Sequence, residues 1–213
     1  MEYYSIAEIK KIEDEAIRKG MTEEKMMDTA GHLIADFIHK NIEFKKAVFV
    51  AGTGNNGGDT LSAAFHLFNL NHTSIEVLVV GKPEELKEGP KTFLYLINDI
   101  KEVPVNFIYD SATLEHSKEI IKNADLLVVG LFGTGFHGDL PDLAANVVDL
   151  INDNLNSKKI SVDIPSGMNG DTGEFKKAVK SDFTLTMVAM KKAFKNPNTL
   201  TITGKIFVMD LLA

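Results

Sequence analysis

The chain of 213 residues contains no cysteine. That removes disulfides, thiolate nucleophiles and thiolate metal sites, and it suits an intracellular setting. Positive charge is in short supply, with 23 basic residues against 30 acidic ones and a formal net charge of −7. A nucleic-acid backbone is therefore not the expected partner, because binding phosphates needs a basic face. No apolar run approaches the ~18 residues that a membrane span requires. The N-terminal stretch MEYYSIAEIKKIEDEAIRKG is charged from its second residue and lacks the apolar region of a secretory signal. A cytoplasmic protein without a membrane partner is the expectation. Repeats, linkers and low-complexity segments are also missing. His32, His39, His66, His72 and His116 lack the clustering of a metal site, so no transition metal is expected.

What is present suits one globular α/β domain over residues 1–213, with 44% hydrophobic and 25% charged residues. Apolar residues Ile6, Ile9, Ile12, Ala16 and Ile17 follow a helical period behind a capping Ser5. A second helix is predicted from Thr22 to His39, with Glu23 and Glu24 in its first turn, where the helix dipole favours negative charge. Met26 and Met27 on it read as core or interface packing.

Short β-branched or apolar runs then alternate with helical stretches. The predicted strands are Ala47–Ala51, Ile75–Val80, Val105–Tyr109, Leu126–Leu131, Ile160–Ile164, Phe183–Val188 and Ile206–Met209. The predicted helices between them are Thr60–Asn69, Lys91–Asn98, Ser111–Asn123 and Leu140–Asn152. Continuous apolar runs indicate strands covered on both faces, and the alternation builds right-handed crossovers on a mostly parallel sheet. The turn-rich stretch around Lys195–Pro197, Asn198 and Gly204 predicts a hairpin or meander between the last two strands.

Three segments carry chemistry. In AGTGNNGGDT (51–60), Gly52, Gly54, Gly57 and Gly58 permit positive φ or close ligand approach, and the following helix offers free N–H groups to a phosphate. Gly52, Gly54 and Gly57 have the G-x-G-x-x-G spacing, but no acidic residue ends the second strand. Glu76 lies near its start. In LFGTGFHGDL (131–140) a second glycine loop follows a buried-looking strand, and parallel topology gathers such loops at one sheet edge. His137 there reads more simply as a surface residue than as a base. In SVDIPSGMNGDTG (161–173), Asp163 closes a strand and Ser166 opens the next turn. Asp163 is thus either a loop cap or a functional carboxylate. Gly170–Gly173 reads as a turn, and Lys191 and Lys192 as a solvated surface pair.

GTGNNGGD, LFGTGF and VDIPSG, in this order behind MMDTAG (26–31), resemble the YjeF N-terminal family of NAD(P)H-hydrate epimerases, which includes apolipoprotein A-I-binding protein. The resemblance covers nearly the whole chain. It implies a three-layer α/β/α Rossmann-like fold with N-terminal helices, in a homodimer that interconverts the R and S forms of hydrated NADH and NADPH (NADHX and NADPHX) for metabolite repair. It places substrate contacts on Asn55, Asn56, Gly57, Gly58 and Asp59, on Gly133, Thr134, Gly135, Phe136, His137, Gly138 and Asp139, and on Asp163, which is also the candidate acid/base. It assigns a potassium ion to Asn56 and Ser166. Repair would need a separate dehydratase, because the chain stops soon after the last strand. Two positions depart from the family pattern. Val129 stands where Val-Asp-Ala-Leu-Phe-Gly supplies a potassium-ligating Asp, and Thr60 stands where a further glycine is usual, which strains Thr60 if φ there is positive. These departures keep open an alternative, a non-catalytic nucleotide-binding or scaffold domain like the related domain of an mRNA-decapping enhancer.

Overall fold

The computed structural model describes residues 2–212. Two helices open the chain, α1 (Ile6–Arg18) and α2 (Glu23–Asn41). Both begin where their caps place them. Ser5 Oγ accepts the Glu8 N–H at 3.3 Å while the Glu8 carboxylate accepts the Ser5 N–H at 2.7 Å, and Thr22 Oγ1 accepts the Lys25 N–H at 3.1 Å. The strands are β1 (Ala47–Ala51), β2 (Ile75–Val80), β3 (Val105–Ile108), β4 (Leu126–Gly130), β5 (Lys158–Val162), β6 (Phe183–Met187) and β7 (Lys205–Met209). Between them run α3 (Asn55–Asn69), α4 (Glu88–Asp99), α5 (Ser111–Lys122), α6 (Asp142–Asp153) and the short α7 (Leu200–Thr203).

The seven strands form one sheet in the order β3-β2-β1-β4-β5-β6-β7, and every pairing is parallel. Alternate residues of β1 divide the core. Phe49 and Ala51 pack with α2, α3 and α4, whereas Val48 and Val50 pack with α5 and α6. This is the three-layer α/β/α arrangement. Strand order reverses at β1, so the loops after β1 and β4 part and leave a crevice at their carboxyl ends.

The hairpin expected between the last two strands is absent, since β7 lies parallel to β6. A parallel partner needs a crossover of a dozen or more residues, and the turn-forming residues are spent inside it. Pro197 and Asn198 sit in a 3-10 turn leading into α7, and Gly204 (φ 56°) turns the chain into β7.

The first glycine loop also differs from its expectation. The helix starts at Asn55 rather than Thr60, so Gly57, Gly58 and Asp59 are helical, and none of Gly52, Gly54, Gly57 or Gly58 has positive φ. Their smallness serves close packing. A Cβ on Gly57 would strike the Gly52 carbonyl oxygen, one on Gly52 the Leu131 carbonyl oxygen, and one on Gly58 the Met27 side chain. Thr60 is unstrained for the same reason: it is helical and fully buried, and its hydroxyl donates to the Asn56 carbonyl at 2.8 Å. Gly130 opposite leaves the room that this hydroxyl fills.

Gly57→Ala is therefore expected to cost about 1–3 kcal/mol or more through overpacking against backbone. Gly54→Ala, with open space around its Cβ position, should cost under about 1 kcal/mol as a poorer N-cap. Urea unfolding of the two variants checks this. Equal losses would show that the loop needs glycine flexibility instead.

Candidate active site

A cavity of ≈ 740 Å³ occupies the crevice at the strand reversal, within the usual range for small-molecule sites. Of the residues anticipated from sequence, Asn55, Asn56, Asp59, Gly133, Thr134, Gly135, Phe136, His137 and Asp163 line it. Gly57 and Gly58 do not, being consumed by packing in α3. Gly138 and Asp139 are exposed outside it, with Asp139 bridged to Lys176 at 2.7 Å. His137 is exposed at the rim, where a surface reading suits it. Ser166 is fully buried behind the wall, and its hydroxyl both accepts the Phe132 N–H and donates to the Phe132 carbonyl at 3.1 Å. Glu76 is remote from ligand chemistry, salt-bridged to Lys46 at 2.9 Å.

The α3 N-terminus opens into this cavity. Gly54 is its N-cap with no side-chain bond, so the first N–H groups face outward for an anion. Asn56, one residue into the helix, is 8% exposed, and neither its amide nitrogen nor its oxygen has a hydrogen-bond partner among the described residues. An orphaned buried amide costs roughly 1–3 kcal/mol and calls for a ligand that both donates and accepts. Met26 and Met27 line the same space, so their packing reading is incomplete.

Asp163 is the first residue beyond β5 rather than its last, and it is held in the left-handed region (φ 65°) while 8% exposed. Such a conformation costs about 1–3 kcal/mol in a non-glycine residue. It directs one carboxylate oxygen onto the Met187 N–H at 3.2 Å and onto the Lys191 ammonium. Lys191, expected on the surface, is 1% exposed, and its ammonium also donates to the Met187 carbonyl at 2.7 Å. Val188 (φ 65°) turns the chain after β6 so that Lys191 folds back under the strand ends. Lys192 is exposed as anticipated and reaches Glu8 at 2.9 Å.

The sequence reading missed a third carboxyl, Glu13. Helix α1 buries only Ile9 and sets Ile9, Glu13 and Ile17 along the cavity. It is tied down at its start. The Tyr4 N–H donates to the Met190 carbonyl at 2.8 Å, the Lys192 N–H to the Tyr4 carbonyl at 2.7 Å, and the Ile6 N–H to Asp171 at 2.8 Å. The Ser5 hydroxyl and backbone N–H, with Lys192, hold the Glu8 carboxyl down to about 2. Glu13 was legible as an acid at i+4 and i−4 from two isoleucines of the apolar stripe. Lys191, beside another lysine in an irregular segment, gave no comparable signal.

Burial raises the Asp59 carboxyl well above the ordinary carboxylate range, and the negative charges of Asp163 and Glu13 add to the effect. Burial also raises Glu13, with Asp163 contributing. Among the described residues neither acid has a hydrogen bond or ion pair, whereas Asp163 is paired with the buried ammonium of Lys191. The potassium donors fare poorly. Ser166 is committed to Phe132, and Val129 is a fully buried apolar residue in the α5/α6 layer. Of these three positions the Asn56 side-chain oxygen alone is without a partner among the described residues, and one such oxygen does not make a cation cage.

Comparison with known proteins follows the same lines. The yeast protein ynu0 superimposes at a TM-score of 0.78 over 92% of this chain and 84% of that one, at 24% identity, which speaks to the fold. A Nitrosopumilus maritimus protein named NAD(P)H-hydrate epimerase is 30% identical over 92% of this chain and 88% of its own. The bifunctional NAD(P)H-hydrate repair enzyme Nnr of Methanothermobacter thermautotrophicus is 30% identical over 90% of this chain, which spans only 37% of that protein's length. No helix among the described residues is long and apolar enough to cross a membrane.

Two predictions follow from the electrostatics. Lys191→Met should cost about 3–5 kcal/mol, read by urea unfolding, because it strands a buried carboxylate. The second concerns Asp59. An acid raised in the folded state makes that state bind more protons than the unfolded chain, so stability falls as pH rises above the ordinary carboxylate range. Asp59→Asn removes that penalty and should melt above the parent protein at pH 7, with the gap shrinking toward pH 4. A gap that is constant with pH would show that Asp59 is not raised. The sequence model of the YjeF-related protein N-terminus family matches residues 23–193, and with the relatives above this shows that the chain belongs to that family.

Proposed function

We propose that this protein interconverts the R and S forms of hydrated NADH and NADPH. The observation that carries the reading is convergence. The α3 N-terminus, the second glycine loop and the Asp163–Lys191 pair, which lie far apart in sequence, meet in one cavity at the sheet's switch point. The names of the relatives supply the substrate.

The chemistry fits these parts. The pyrophosphate rests on the uncapped N–H groups of α3, with Lys87 on the same cavity wall. The orphaned Asn56 amide pairs with a group that offers both donor and acceptor, as a carboxamide or ribose diol does. In the hydrated ring, the carbon that bears the hydroxyl adjoins a nitrogen whose lone pair can expel it, and water can return from either face. Such a reaction needs an acid/base group in an enclosed polar site, and Asp163 fills that role. Potassium is given no step, because Val129 supplies no carboxylate. The homodimer and the separate dehydratase belong to the same proposal.

One resolved epimer of hydrated NADPH, incubated with the protein and followed by chromatography, tests the reading. Conversion above the spontaneous rate is expected, equal in potassium and sodium, and lower by about 10²–10⁴-fold in Asp163→Asn. A loss of rate in sodium would restore the ion. No acceleration in either salt would favour the non-catalytic scaffold reading, for which the missing carboxylate at 129 is the supporting observation.

A further inference from the structure

We propose that the reaction uses two carboxyls, with Asp59 giving the proton to the departing hydroxyl and Asp163 taking the proton from the incoming water. This rests on the epimerase reading and deepens it.

Four carboxyls line the cavity; Glu23 is exposed, and the other three (Glu13, Asp59 and Asp163) share a single buried ammonium, Lys191, with Lys87 exposed. That ammonium is committed. Lys191 donates to Asp163 and to the Met187 carbonyl, and the Met187 N–H donates to the same Asp163 oxygen. Both donors meet the same Asp163 oxygen, so its other oxygen has no donor among the described residues and is the one that accepts the proton. Asp59 has the opposite surroundings. It reaches the cavity from a different wall, on α3, one turn beyond the orphaned Asn56. No donor among the described residues meets its carboxyl, and buried apolar Met27 and Ile9 help to line the cavity around it. Burial and its two acidic neighbours favour the protonated form. Two carboxyls in such different surroundings, one held by an ammonium and a backbone N–H and one without any donor among the described residues, divide as base and acid. Glu13 is the weaker candidate for the acid. It hangs from α1, which lies outside the residues matched by the family model and buries only Ile9.

The step balances without any co-reactant. The ring nitrogen's lone pair forms a C=N bond as the C–O bond breaks, the electron pair of that bond stays on oxygen, and the Asp59 proton completes a water molecule. A second water then adds to the same carbon, its proton passes to the Asp163 carboxylate, and the nitrogen recovers its lone pair. The hydroxyl oxygen has been exchanged with solvent, and the two carboxyls have exchanged protonation states. Lys191 beside a neutral Asp163, with an unpaired anion at Asp59, is the less favourable arrangement. The proton therefore returns to Asp59 before the next turnover in the same direction.

The test uses the purified protein with Asp59→Asn, Asp59→Glu and Asp163→Asn. In oxygen-18 water, the product epimer should carry solvent oxygen. The kcat of the parent protein should fall on the alkaline side as Asp59 loses its proton. Asp59→Asn should lose about 100-fold or more in kcat without the alkaline fall, with KM changed by no more than about threefold. Asp59→Glu should recover part of the rate and move the alkaline limb. Difference infrared spectra of the ligand-free proteins at pH 7 should show a protonated carboxyl band that Asp59→Asn removes. This readout survives even if a variant is unstable in turnover assays. Retained substrate oxygen, an alkaline limb unchanged in Asp59→Asn, or absence of the infrared band would each overturn the proposal while leaving the epimerase reading intact. An inactive parent protein would sink the reading itself, and the infrared band would still report the state of Asp59.

Discussion

The contact between Asp163 and Lys191 is the constraint around which the site is built. Burying an ammonium beside a carboxylate is tolerable only when each finds further polar partners, and here the Met187 backbone supplies them at both its N–H and its carbonyl. Achieving that contact requires two non-glycine residues with φ near 65°, Asp163 after β5 and Val188 after β6. Strain of this kind persists only where surrounding structure over-determines it. The parallel pairing of β5 with β6 and of β6 with β7 fixes both strand ends, so the bends have little room to relax.

The same pair sets the electrical character of the cavity. Lys191 is engaged by Asp163, and Asp59 and Glu13 form no ion pair of their own among the described residues in a space walled in part by Ile9, Ile17 and Met27. Burial raises Asp59 and Glu13 above the ordinary carboxylate range, so the cavity sets acids of raised pKa beside a carboxyl held by an ammonium. The opposite end is governed by backbone rather than side chains. Gly52 and Gly57 let the β1–α3 turn close on itself and on Leu131, leaving the helix N-terminus open toward the cavity.

Helix α1 links the two levels. Its apolar stripe would ordinarily signal packing against a core, yet it buries only Ile9 and spends Ile17 on the cavity. The chain ahead of it pairs with the segment carrying Lys191, through Tyr4 and its bridge to residue 191. The cover of the site and its buried cation are thus held to each other.

Much of this was present in the sequence because it is local. Periodicity and caps place α1 and α2, continuous apolar runs place every strand to within a residue or two, and alternation of strand and helix implies parallel pairing. The three glycine- and aspartate-bearing segments were legible because strand ends in a parallel sheet share an edge. What the sequence did not contain is set by contacts between distant segments. The α3 start at Asn55, the close packing of Gly57, the parallel course of β7, the burial of Lys191 and the exposure of Asp139 each depend on what lies across the fold. Identical lysines at 191 and 192 take opposite fates, because only one of them points toward Asp163 once β5 and β6 are paired. Residue type and spacing decided which groups the site could contain. Tertiary structure decided their burial and partners, since both depend on contacts between distant segments rather than on chain order.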